Sequence, residues 1–177
     1  VLAGGLEAAP SGGVVISGEW YNNELWFGSG SVNLSQPSGG RALFVAKAND
    51  SGVWTWAVEG DCSSTDQGKD IAIDSEGRIY VTGYASVTSQ QPTSCNFGEV
   101  GWHPTHSSSG FLGRMSPEGE WQWVSEIESV GTAYGLSVDV GPQMEAVVSG
   151  KYYNNDDLII GNFTFGSTSG TASYDVF

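Results

Sequence analysis

Short runs of apolar and β-branched residues alternate along this chain with polar, glycine-bearing turns. Ile71-Ala72-Ile73-Asp74 and Arg78-Ile79-Tyr80-Val81-Thr82 are two such runs, split by Ser75-Glu76-Gly77. Their length and spacing predict a hairpin of two strands. Phe111-Leu112-Gly113-Arg114-Met115 and Trp121-Gln122-Trp123-Val124 flank Ser116-Pro117-Glu118-Gly119 and predict a second hairpin, with turn residues suited to the bend. Within a strand, residues two apart share a face. Trp121 and Trp123 are therefore expected on one side and Gln122 on the other, and the same holds for Trp54 and Trp56. Polar stretches at 21–40, 84–109 and 152–173 read as long loops.

The same pattern returns along the chain. Phe44 and Phe111, Gly52 and Gly119, and Gly83 and Gly150 are each 67 residues apart, and Trp54-Thr55-Trp56-Ala57 returns at the same offset as Trp121-Gln122-Trp123-Val124. Gly18-Glu19-Trp20-Tyr21-Asn22-Asn23 returns 132 residues later as Gly150-Lys151-Tyr152-Tyr153-Asn154-Asn155, two periods of 66. So many matches in register define a unit of about 66 residues, with two meandering hairpins per unit. Such a unit is the signature of a propeller blade.

Composition agrees with an all-β chain. There are 26 Gly among 177 residues, and 12% of the chain is aromatic, enough to bury a core. Gly, Ser, Thr and β-branched residues outnumber good helix formers. Six basic residues against 20 acidic ones leave a net charge of −14, without the basic footprint that nucleic-acid binding needs. No apolar run approaches the roughly 18–20 residues of a membrane span. The first residues, Val1-Leu2-Ala3-Gly4-Gly5, lack the charged start of a signal peptide. An acidic, Lys-poor surface suits an extracellular or cell-surface protein.

The order Gly68, Asp70-Ile71-Ala72-Ile73-Asp74, Gly77, Tyr80-Val81-Thr82-Gly83, Phe97-Gly98, an aromatic-led strand and then Trp-x-Trp resembles the SBBP-type β-propeller repeats of bacterial and archaeal surface proteins. In the last unit either Ile160-Gly161 or Phe165-Gly166 fills the Phe-Gly slot. The resemblance implies an innermost Ile-Ala-Ile-Asp strand and an outermost Trp-x-Trp strand. The expected fold is a partial β-propeller of about eleven strands, with blades near residues 5–58, 68–125 and 133–177 and the last incomplete. Since propellers close with about four to eight blades, the remaining blades are expected from the same longer chain or from other copies.

Candidate chemistry is sparse. Cys62 and Cys95 fall on loops that leave the same face of a meander, so a disulfide between them is topologically allowed. It would stabilise by roughly 3 kcal/mol. His103 and His106 lie close by, but neither pair has a tight zinc-finger spacing, so no metal and no cofactor are expected. Asn154-Asn155-Asp156-Asp157 offers oxygen ligands for calcium without matching a calcium-loop template, and reads as turn residues. Asp74 and Asp139 end inner strands at what read as matching positions, which marks scaffold rather than a catalytic pair. No phosphate loop or nucleophile elbow is present. Aromatic and amide side chains collect near the loops of one face, and Tyr21, Asn22, Trp102, Tyr153 and Asn154 are the expected ligand-binding residues. The expected function is a non-enzymatic scaffold binding a protein or carbohydrate partner, with no catalytic residues. The alternative is a piece of a propeller hydrolase or lyase acting on polysaccharide.

Overall fold

The computed structural model describes residues 1–21, 23–38, 40–62, 64–87, 95–153, 157–166 and 174–177. Among them every regular element is a strand, and every pairing within a sheet is antiparallel. Blade 1 runs in the order β1 (Leu2–Ala8), β2 (Val14–Tyr21), β5 (Arg41–Ala48) and β6 (Trp54–Gly60). The connection from β2 to β5 carries a small hairpin, β3 (Leu25–Phe27) and β4 (Val32–Leu34). Blade 2 repeats the plan with β7 (Asp66–Ile73), β8 (Ile79–Ser86), β11 (Ser108–Met115) and β12 (Trp121–Ser129), and its hairpin is β9 (Cys95–Phe97) with β10 (Val100–Trp102). Blade 3 has β13 (Ala133–Val140), β14 (Ala146–Tyr153) and β17 (Tyr174–Val176), with hairpin β15 (Leu158–Ile160) and β16 (Phe163–Phe165). The chain is thus an all-β array of propeller blades.

Apolar side chains on facing sheets hold the blades together. Val15, Leu43 and Val45 of blade 1 pack with Ile71, Val81, Phe111 and Trp121 of blade 2 in one buried cluster. Ala72 and Tyr80 of blade 2 pack with Val138 of blade 3 in another. Each large side chain taken fully out of water contributes about 1.5–3 kcal/mol. The inner strands also approach backbone to backbone. A Cβ on Gly4 of β1 would collide with the carbonyl oxygen of Gly68 on β7, so this close approach of the first strands requires glycine there.

Three sequence expectations change here, and one open alternative is settled. The stretches read as loops are not uniformly irregular: each described connection between second and third strands contains a hairpin of three-residue strands. Such strands are too short for alternation to stand out. The Phe-Gly slot of the last unit belongs to Ile160-Gly161. Gly28, Gly98 and Gly161 follow the first strands of the three hairpins at φ of 60°, 59° and 58°, the left-handed region that favours glycine. Trp54 and Trp56 do not share a face, nor do Trp121 and Trp123. A bulge opposes Ala48 to Trp54 but Lys47 to Trp56, and Met115 to Trp121 but Arg114 to Trp123. The extra residue reverses the alternation. Trp54 therefore packs under its own hairpin while Trp56 turns toward blade 2, and Trp121 packs toward blade 1 while Trp123 packs on Tyr80 toward blade 3. Finally, Asp139 is not the counterpart of Asp74. The backbone N–H of Asp74 donates to Arg78 and that of Gly141 to Glu145, so Gly141 occupies the equivalent turn position. The Asp74 carboxylate accepts from the N–H groups of Glu76 and Arg78 at 3.0 and 2.9 Å and from Arg78 Nε at 2.6 Å. Burial opposes its ionisation, but the Arg78 and Glu76 donors prevail and hold its pKa below the usual value.

Candidate functional site

Second strands leave the sheets, and first and third strands enter them, at one end of the blades. Tyrosines and cations line that end. Tyr21 lies directly across from Arg41, Tyr134 from Lys151, and Tyr153 from Tyr174. Opposed positions bring side chains within reach of one another. The Arg41 guanidinium stands 5.4 Å from the Tyr21 ring centre, and Lys69 Nζ 5.6 Å from that of Tyr84. Lys151 Nζ lies 5.1 Å from the Tyr134 ring and 4.6 Å from that of Tyr174. The rings also meet one another: Tyr84 and Tyr134 edge to face at 4.6 Å, Tyr134 and Tyr174 at 6.1 Å, and Tyr153 and Tyr174 at 5.6 Å. Three of the six basic residues of an otherwise acidic chain are thus gathered on one row, each over a tyrosine ring.

Two phenols of the row, Tyr84 and Tyr134, are held in their protonated form. Burial, then hydrogen bonding to Tyr174, pushes the Tyr134 phenol up to about 12, and burial followed by the Glu19 charge raises Tyr84. Beneath the row, Asp66 is fully buried and accepts from the N–H of Cys62 at 2.6 Å and of Ser86 at 3.3 Å. Burial outweighs those two donors and, with Asp61 nearby, pushes its pKa up to about 8. The row therefore gathers guanidinium and ammonium charge over its rings, a surface matched to hydrogen-bond acceptors and anionic side chains.

Of the residues expected from sequence, Tyr21, Trp102 and Tyr153 are described, and these three do not form one constellation. Tyr21 is 48% exposed and stands at the blade 1 end of the row. Tyr153 is half-buried against Tyr174 at the blade 3 end. Trp102 is buried on β10, 5.8 Å from Phe97 and 5.9 Å from Phe111, and presents no ring face to a ligand. Its aromatic neighbours come from two other strands, which is why its place in a polar stretch suggested exposure. Asn22, Asn154, Asn155 and Asp156 lie outside the described residues. Tyr84, Tyr134 and Tyr174 were not singled out as a group; they fall at different positions of the repeat, where Tyr84 corresponds to Lys151 and Tyr134 to Gln67, so the repeat does not reveal them.

Cys62, just after β6, and Cys95, at the start of β9, form a disulfide with their Cα atoms 4.2 Å apart. It joins the outer edge of blade 1 to the hairpin of blade 2, and it leaves neither sulfur available as a zinc ligand. His106 instead pairs with Glu128, Nε2 to Oε1 at 3.2 Å. Alongside the disulfide, on the outer rim between blades 1 and 2, lies a groove of about 610 Å³ lined by Asn33, Leu34, Glu59, Asn96, Glu120 and Trp121 among others. The indole N–H of Trp121 donates to the Glu59 carbonyl at 3.0 Å, and burial, then Asp61, raises the pKa of the Glu59 carboxyl. Residues from both blades build this groove.

Residues 60–89 match the SBBP family, a beta-propeller repeat. The chain is also 28% identical over 156 residues to an uncharacterized WD repeat-containing protein of Acanthamoeba polyphaga mimivirus; the match covers 84% of this chain and 11% of that protein. The chain thus spans about a tenth of the length of that relative. Fold and comparisons converge on one description: an all-β propeller array in which the segment from the end of β6 through β8 matches the SBBP beta-propeller repeat.

Proposed function

We propose that this propeller scaffold holds a protein partner on its tyrosine–lysine end, outside the cell or at its surface. The row of Tyr21, Tyr84, Tyr134, Tyr153 and Tyr174 with Arg41, Lys69 and Lys151 carries the reading. Lysines stand over the rings of Tyr84, Tyr134 and Tyr174. A sugar stacks on an open ring face, whereas lysine ammonium groups stand over the faces of these three rings. The partner surface that fits is rich in carbonyls and carboxylates. The disulfide and the scarcity of lysine support an oxidising, extracellular setting.

The test is a peptide and glycan array probed with the protein at its natural length, followed by titration of the best ligand. Acceptor-rich peptides are the expected ligands, with binding weakened about tenfold by Tyr153→Ala or Lys151→Gln. Carbohydrate-only binding that survives both changes, or depolymerisation of an arrayed glycan, would reject the reading in favour of a lectin-like or enzymatic propeller.

A further inference from the structure

Each interface within the chain is sealed by a hairpin that reaches across to the blade before it. At the second interface β15 joins the outer strand β12, with Ile160 opposite Ile127, Ile159 opposite Glu128 and Leu158 opposite Ser129. At the first, Asn96 in the middle of β9 exchanges both backbone bonds with Asp61 just past β6, at 2.8 and 3.0 Å. Repeat position makes these the same event, because Asp61 and Glu128 are 67 apart and each faces the middle residue of a hairpin strand. The corresponding residue of blade 1 is Trp26, one before the Phe27-Gly28 turn as Asn96 is one before Phe97-Gly98. In the β9–β10 hairpin this middle residue directs its N–H and C=O away from its hairpin partner, as antiparallel alternation requires. Trp26 is paired with Asn33 of β4, no backbone bond reaches it from another blade among the described residues, and it is 54% exposed.

A second observation points to the same flank. Leu6, Ile71 and Val138 sit opposite Ile16, Val81 and Val148, each two residues before the repeated glycine of the second strand. Ile71 is 3% exposed and reaches blade 1, where a Cβ on Gly5 would meet its Cγ2 at 2.8 Å. Val138 is 5% exposed and packs on Ala72 and Tyr80 of blade 2. Leu6 occupies the same position and is 67% exposed. An apolar position buried at two interfaces and bare at the third marks a face built for a neighbour.

We propose that β3 is a strand-addition edge that takes the outer strand of a further blade of the same repeat, with Leu6 buried against that blade. A second copy of this chain does not supply that strand from its described residues, since β6 is engaged at its end by β9 and β12 by β15. The occupant is a blade outside these 177 residues, in keeping with a relative of which the match covers 11%. Its outer strand would carry an acidic or polar residue opposite Trp26, as Asp61 and Glu128 do at the other two interfaces. The inference rests on the propeller scaffold and not on the tyrosine row.

Amide hydrogen exchange on the protein at its natural length tests it, with Asn96 and Ile159 as references in the same molecule. Trp26 is expected to exchange within about tenfold of those two amides, at a rate independent of protein concentration. Protection that appears only as concentration rises would assign the edge to a second copy and overturn the proposal. So would an unprotected Trp26 beside protected Asn96 and Ile159. Tyr153→Ala reports on the partner site and is expected to leave Trp26 exchange unchanged, so the two readings fail separately.

Discussion

Removing the Cys62–Cys95 bond is expected to uncouple blade 1 from the hairpin of blade 2. The bond closes 33 residues of sequence, a span that includes β7 and β8. In the chain-entropy treatment a loop of that size restricts the unfolded chain by about 3–4 kcal/mol. The two-bond bridge between Asp61 and Asn96 stays in place and retains part of the contact. With a urea dependence of about 2 kcal/mol per molar, the midpoint of unfolding should fall by about 1.5–2 M in the Cys62→Ala/Cys95→Ala variant. Reduction of the native protein should produce a similar fall. Urea titration by tryptophan fluorescence reads the midpoint. Exchange of the Asn96 and Trp102 amides reads where the structure loosens, since these lie on the stapled hairpin while β13 and β14 do not. A midpoint shift under about 0.3 M would refute the reasoning, because the bond would then constrain neither state. Equal loosening of β9 and β14 would refute the local account of the staple.

Trp121→Ala should cost about 3–5 kcal/mol, since the ring fills the space between Phe97 and the facing blade. Trp121→Phe should lose less, retaining apolar contact while leaving the Glu59 carbonyl without its donor; denaturant titration of both variants checks the order. Asp66 has a folded pKa raised to about 8, so its contribution to stability is full below about pH 4 and is lost as pH rises toward 8. Asp66→Asn keeps an acceptor for Cys62 N–H and should flatten the stability profile between pH 5 and 8 while gaining stability over the native protein at pH 8. A native slope retained in that variant would count against the buried, neutral carboxyl. Tyr153→Ala should weaken partner binding and leave the unfolding midpoint within about 0.5 M, as a half-buried side chain at a strand end contributes less than a core ring.

The repeat, the four-strand meander and the turn glycines were legible in the chain because they are local. Apolar runs broken by Gly-bearing turns fall in register about every 66 residues, and any element closed within a few residues leaves such a trace. Gly83 and Gly150, or Phe44 and Phe111, reveal the period without any knowledge of contacts. The possible pairing of Cys62 with Cys95 was likewise legible from the order of strands and loops. Tertiary structure decided what depends on a neighbouring blade. A three-residue strand such as β9 or β15 is too short to show its period, and its hydrogen bonds go to strands far away in sequence. The facing of Trp121 and Trp123 followed from a bulge, which one extra backbone residue creates and side-chain spacing does not disclose. Trp102 was read as a surface aromatic and proved buried, because Phe97 and Phe111 cover it only once the hairpin folds back onto the sheet. The tyrosine row has the same origin. Its members come from strands in all three blades, and only the alignment of blade ends places Lys69 and Lys151 over their rings.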